Sequence, residues 1–196
     1  MGHGVPGVTS SLAPALLVSM PQLVDPNFHR TVILLCKHSA EGALGLVVNR
    51  PLLTSGRVIV SLDPPASTDR ELTVWIGGPV EPTRCWMLVG DGQEGGGQSD
   101  DPAARMVVAD GLSLSTSPEL LRRLLEPNPP PCSRLIAGYA GWGPGQLEEE
   151  LEASAWLLSD VDRSLIFDPE PDHMWEAAIR RLGADPALLH ASRGVH

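Results

Sequence analysis

The feature that most restricts this chain is the run Gly138–Leu151, GYAGWGPGQLEEEL. Four glycines (Gly138, Gly141, Gly143, Gly145), one proline, Tyr139 and Trp142 crowd into eight residues before a helical pattern begins. Such glycine density means that the backbone takes conformations closed to other residues, or that something bulky comes close to it. The apolar segment Arg134–Ala137 leads in as a strand, and Gln146–Ser154 leads out as a helix. Strand, glycine turn and helix together imitate a phosphate cradle. The run nevertheless matches neither G-x-x-x-x-G-K-[ST] nor G-x-G-x-x-G, and it holds no Lys or Arg. Glu148, Glu149 and Glu150 follow at the helix start, where they would repel an anion. A tight turn that packs Tyr139 and Trp142 into the protein's own core is the better reading.

The rest of the chain reads as many strands and few, late helices. Ala15–Ser19 is a first strand. Asp25–Pro26–Asn27–Phe28 is a turn, with Asp25 capping it and His29 exposed. Thr31–Cys36 is apolar and β-branched throughout, as expected of a strand buried on both faces, and Ala43–Val48 is its hairpin partner. Pro51 ends that strand. Arg57–Leu62 fits helix or strand, residues 63–68 (DPPAST) read as loop, and Leu72–Ile76 and Trp86–Val89 as strands. Gly90–Asp101 is a polar loop. Met106–Ala109 and Leu112–Ser115 flank an Asp-Gly turn. Ser117–Pro118–Glu119 starts a helix that ends by Pro127. Ser164–Phe167 reads as a last strand, and Asp172–Leu182 as an amphipathic helix. The sum is an α+β fold: one compact domain, residues 12–190, with a large mixed β-sheet flanked by a few helices. Disordered tails are expected at 1–11 and 191–196.

Charge and composition narrow the function classes. The 196 residues carry a formal charge of −10, and Lys37 is the sole lysine. Direct binding to nucleic acid, which needs clustered cations, is disfavoured, and no basic helix-turn-helix stands out. Arg122–Arg123 and Arg180–Arg181 read as solvated helix faces. Cys36, Cys85 and Cys132 are odd in number and far apart, which fits buried free thiols in a reducing cytoplasm. Cys36 and His38 alternate and would share one face of a strand. With the other cysteines they could form a Cys₃His zinc site, but no CxxC spacing supports it. The apolar stretch Leu12–Met20 is too short to cross a bilayer. No membrane association, metal or cofactor is expected, and no catalytic residue can be named, because the hydrolase, metalloprotease and calcium-loop motifs are all missing.

Four blocks together resemble the YqgE/AlgH family of bacterial proteins. They are Met20–Pro21 through Asp25–Phe28 with Arg30–Val32; Gly42–Pro51; Gly77–Val80 with Arg84; and Gly138–Glu150 with Trp156. The resemblance spans about residues 15–182. It implies an α+β fold with a large mixed sheet and a label of transcriptional regulator, without an established activity and without catalytic residues to transfer. Two positions depart from the family pattern: Ser154 stands where Asn is frequent, and Val89 where His is frequent.

Two functional classes follow. The first is a non-enzymatic binding or regulatory protein that acts on gene expression indirectly. The second is a small-molecule-binding domain or small enzyme. Its pocket would gather Asn49 and Arg50 at a strand end, Gly77 and Gly78 with Arg84, and Tyr139, Trp142 and Gln146 from the glycine run. The Gly77–Gly78 turn with Arg84 could take a carboxylate or phosphate, or Arg84 could simply be ion-paired. In either class the partner is a protein or a small molecule.

Overall fold

The computed structural model describes residues 11–54, 58–60, 64–69, 71–90 and 105–191. In chain order the strands are β1 (Ala15–Ser19), β2 (Val32–Ser39), β3 (Gly42–Val47), β4 (Pro51–Thr54), β5 (Val58–Val60), β6 (Ala66–Thr68), β7 (Leu72–Ile76), β8 (Val80–Gly90), β9 (Arg105–Ala109) and β10 (Leu112–Ser115). Then come α1 (Pro118–Leu125), β11 (Ser133–Trp142), α2 (Gln146–Glu152), β12 (Trp156–Ser159), α3 (Arg163–Phe167), α4 (Pro171–Arg181) and α5 (Pro186–Ala191). Ten strands form one sheet along the path β12-β1-β2-β3-β11-β8-β10-β9, with β7 joining β11 to β4. The β11–β7 pair is parallel and its neighbours antiparallel, so the sheet is mixed and the fold α+β, as the strand count predicts.

The run TVILLC shows why the sheet is covered on both sides. Val32 and Leu34 join one buried cluster, while Ile33 and Leu35 join another. Successive strand residues point to opposite faces, so an uninterrupted apolar strand needs cover on each. One face is covered by α3 and α4 through Leu165, Ile166, Met174, Trp175 and Ile179. The other is covered by Leu147 of α2 together with Trp142 and Trp156. A third cluster packs Leu121, Leu124 and Leu125 of α1 on Leu72, Met87 and Leu135. Ser117 caps α1 as expected, accepting from the Leu120 N–H, with Pro118 in the first turn.

The glycine run is not a loop after a short strand. It continues β11 through to Trp142. Along β11 the neighbour on one side changes: Leu135–Ala137 pair with β7, and Ala140–Trp142 pair with β3. Gly77 closes the junction, donating to Ala137 O at 2.8 Å and accepting from Val47 N–H at 2.8 Å. The backbones meet there too closely for a side chain. A Cβ at Gly78 would lie 2.3 Å from the Tyr139 carbonyl, and one at Gly138 would lie 2.4 Å from Gly78 O. Both have positive φ, 151° and 74°. The bulky object for which the glycines make room is the chain itself.

Several sequence expectations are corrected. Ser164–Phe167 lies in a helix: Asp162 accepts from the Ser164 and Leu165 N–H groups and nucleates α3. Four apolar residues have no period of their own, so a cap can decide the element. The last strand is instead β12, on the edge beside β1. β3 already ends at Val47, and Pro51, expected to end that strand, instead opens β4, opposite Trp75. Residues 66–68 pair with Val58–Val60 as strand rather than loop. The tails expected at 1–11 and 191–196, apart from Ser11 and Ala191, and all of the Gly90–Asp101 loop beyond Gly90, lie outside the described residues.

The end of β11 is tied to α2 by one carboxylate. Glu150 Oε2 accepts from the Trp142 indole at 2.9 Å and the Trp156 indole at 2.7 Å, while Oε1 accepts from Gln146 Nε2 at 2.9 Å. The two indoles stand edge to face with centroids 6.1 Å apart. Removing the carboxylate strands two largely buried indole donors, each worth about 1–3 kcal/mol. Glu150→Ala should therefore lower the unfolding free energy by about 2–4 kcal/mol in urea titrations. Glu149→Ala, on an exposed carboxylate one residue away, should stay within about 0.5 kcal/mol of the parent.

Candidate functional site

Asn49 and Arg50 follow β3 directly. Asn49 is buried and works as a cross-link: its Oδ1 accepts from Val32 N–H at 3.0 Å, and its Nδ2 donates to Arg30 O at 3.0 Å. It thereby fixes the turn before β2, where Arg30 sits at φ 53°. Thr31 Oγ1 donates to Phe28 O, and Asp25 caps the Asn27 N–H as expected. Arg50 donates through Nη2 to His29 O, and its own carbonyl accepts from Ile76 N–H. His29 is half-buried rather than exposed, with Nδ1 3.3 Å from Leu23 O.

These groups surround a cleft of about 410 Å³, lined by His29, Arg30, Asn49, Arg50, Pro51, Pro171, Asp172 and Trp175. The far wall is the N-terminus of α4, where Pro171 takes the first turn and the N-cap Glu170 gives no side-chain cap. The terminus carries a partial positive charge, but it has few free donors, because Pro171 has no N–H and the His173 N–H donates to Glu170 O. Arg30 lies over the Trp175 ring at 4.8 Å and pairs with Glu176 at 3.2 Å. Arg50 touches no carboxylate among the described residues; its one hydrogen-bond partner there is the His29 carbonyl. The cleft can therefore hold a carboxylate or phosphate group against Arg50 and the α4 terminus.

The other predicted site residues lie elsewhere. Gly77 and Gly78 are buried at the β11 junction. Arg84 forms an exposed ion pair with Glu81 at 3.2 Å and stacks on Trp86 at 4.4 Å. Tyr139 meets Trp86 edge to face at 6.3 Å, and its hydroxyl is held above the ordinary phenol range by lost solvation and by Glu81. Trp142 is buried against Glu150, and Gln146 bridges Glu150 and the Gly143 N–H. Tyr139 thus joins Gly78 and Arg84 at the β11 junction, Trp142 and Gln146 belong to the Glu150 cluster, and only Asn49 and Arg50 line the cleft. Sequence reasoning missed its partners Arg30, Pro171 and Trp175. A Trp at helical spacing reads as core, and nothing local shows that α4 returns to the β1–β2 turn.

Among the described residues no group of three or more His, Cys, Asp or Glu side chains could hold an ion. Cys36 is half-buried and burial pushes its thiol to about 12, which keeps it protonated; Cys85 is raised by the same cause. Cys132 is exposed, contrary to the expectation of three buried thiols. His38 follows a bulge in β2, is buried, accepts from Leu12 N–H at Nδ1 and donates from Nε2 to Glu148 at 2.8 Å. That pairing fixes the imidazole tautomer.

With this geometry in hand, comparison with known proteins is informative. A family model described as AlgH-like matches residues 16–187. The chain belongs to the AlgH-like family. It is 41% identical over 188 residues to a UPF0301 protein of Myxococcus xanthus, covering 95% of this chain and 99% of that one. It is 39% identical over 186 residues to one of Ruegeria pomeroyi, covering 93% and 98%. The solution structure of the Pseudomonas aeruginosa AlgH protein superimposes with a TM-score of 0.69 at 33% identity over the whole of both chains. A crystal structure of a Corynebacterium diphtheriae protein shares the fold, with a TM-score of 0.61 at 24% identity, covering 96% of this chain and 92% of that one. The two departures from the family pattern become intelligible. Ser154 sits at φ 56°, a conformation that Asn adopts more readily, so the familial Asn suits the backbone. Val89 is buried within β8, between β10 and β11.

Glu148 links this chemistry to pH. Its own backbone N–H first, and the His38 ring second, hold its carboxyl below the ordinary carboxylate range. A depressed folded value contributes stability above the unfolded one, and that contribution disappears as pH falls through the folded value. Glu148→Gln should be less stable than the parent in urea at pH 7, with the difference closing as pH falls below the ordinary carboxylate range. A gap that is constant with pH would contradict this role for the Glu148 carboxylate.

Proposed function

We propose that this AlgH-like protein is a non-enzymatic binding protein that works in the cytoplasm. On this reading it influences gene expression indirectly, by engaging a protein or small molecule through an anionic group. The observation that carries the reading is Arg50, a guanidinium with no carboxylate partner among the described residues, in a cleft closed by the α4 N-terminus. Arg30 sits at the same cleft, already matched by Glu176, and Asp172 adds a negative charge to the lining, so recognition rests on the directed N–H groups of Arg50 rather than on net charge. A planar guanidinium takes a carboxylate or phosphate through two parallel N–H bonds. The formal charge of −10 argues against a phosphate backbone as the partner and for an isolated acidic group. Three unpaired cysteines fit a reducing compartment, and among the described residues no helix is long and apolar enough to cross a membrane.

The test is thermal unfolding of the full chain with succinate or inorganic phosphate, at ionic strength held constant with sodium chloride. A ligand at about 100 times its dissociation constant adds about 2.7 kcal/mol of apparent stability. The expected result is a raised Tm for one of the two, abolished in Arg50→Met and kept in Arg84→Met. No rise with either anion, or a rise that survives in Arg50→Met, would overturn the proposal.

A further inference from the structure

A second charged cavity shares no lining residue with the Arg50 cleft. Arg134 is buried to 6% exposure, and burial lowers its guanidinium to about 10, which leaves it charged at neutral pH. Nη1 donates to Val48 O and Nη2 to Ile166 O, and no carboxylate touches it among the described residues. A guanidinium has five N–H donors, so these two carbonyls leave donors to spare. The group lies over the Trp75 ring at 3.7 Å and near Phe167 at 5.3 Å. Carbonyl dipoles and aromatic faces ease the burial of a cation, but they do not neutralise it.

Beside Arg134 lies a cavity of about 490 Å³, which Trp75 and Phe167 also line. That volume is within the range of small-molecule sites. One wall is Pro129–Pro131, a stretch whose ring-fixed backbone resists collapse, anchored by Ser133 Oγ donating to Pro130 O. The cavity is therefore held open by rigid groups rather than created by a ligand. Glu71 and Asp168, both exposed, add negative charge to its lining. They disfavour multiply charged anions, while a single carboxylate still gains from Arg134.

We infer that the Arg134 cavity is a binding site for a small monocarboxylic acid with a flat apolar body, its carboxylate on the Arg134 guanidinium and its body against the proline wall. The site is independent of the Arg50 cleft and stands or falls separately. The test uses the full chain labelled with nitrogen-15, following the Arg134 Nε–Hε signal and the Trp75 indole during titration with benzoate and, separately, with inorganic phosphate. Benzoate is expected to shift both signals saturably in the millimolar range, and phosphate to shift neither. Asp168→Asn, an exposed change that keeps the fold, is expected to tighten benzoate at least about twofold by removing a like charge. An unmoved Arg134 signal, an equal response to phosphate, or unchanged benzoate affinity in Asp168→Asn would each overturn the inference.

Discussion

The structure depends on the contact of Gly77–Gly78 with Gly138–Tyr139. At that point β11 exchanges β7 for β3, so a single strand belongs to two sheet regions. The exchange needs two backbones at distances that a Cβ would forbid, with Gly78 and Gly138 both at positive φ. Everything downstream is referred to this junction. Gly77 O holds Val47 N–H at the end of β3, and Arg50 O holds Ile76 N–H one residue before Gly77. The cleft arginine is thus placed by main-chain bonds to Ile76 and Gly77. The glycines serve the site without lining it.

A second layer of control is polar. Asn49 ties the β1–β2 turn to the end of β3, which brings Arg30 and Arg50 to one cleft. Glu150 locks two indoles to α2, and Arg134 joins the end of β3 to α3 through two carbonyls. In each case one buried or half-buried polar side chain satisfies several partners from distant parts of the chain. Such groups cost much if one partner is lost, which explains why polar residues occur inside an otherwise aliphatic interior. Arg50 and Arg134 share a further trait: neither charge is matched by a carboxylate among the described residues, and each lines a cavity.

Much of the fold is legible locally. TVILLC announces a strand covered on both faces, and Ser117–Pro118–Glu119 announces a helix start, because their signals reside in consecutive residues. The failures share a cause: the deciding interaction was remote or ambiguous. Ser164–Phe167 is too short to show a period, and Asp162 settles it as helix. The glycine run reads as a loop because its partner, Gly77–Gly78, lies some sixty residues earlier. Of the candidate site, Asn49 and Arg50 were readable at a strand end. Their neighbours Arg30, Pro171 and Trp175 were not, since only tertiary packing brings α4 to the β1–β2 turn.

The measurement that tests this account most directly is equilibrium unfolding of Gly78→Ala beside Gly141→Ala. At Gly78 a methyl group meets the Tyr139 carbonyl at 2.3 Å, whereas at Gly141 its nearest neighbour is the Tyr139 ring at 3.5 Å. The account predicts that Gly78→Ala loses about 3 kcal/mol or more, or fails to fold, while Gly141→Ala stays within about 1 kcal/mol of the parent. Equal, small effects at the two positions would contradict it, because the glycine motif would then not be the place where the chain packs against itself.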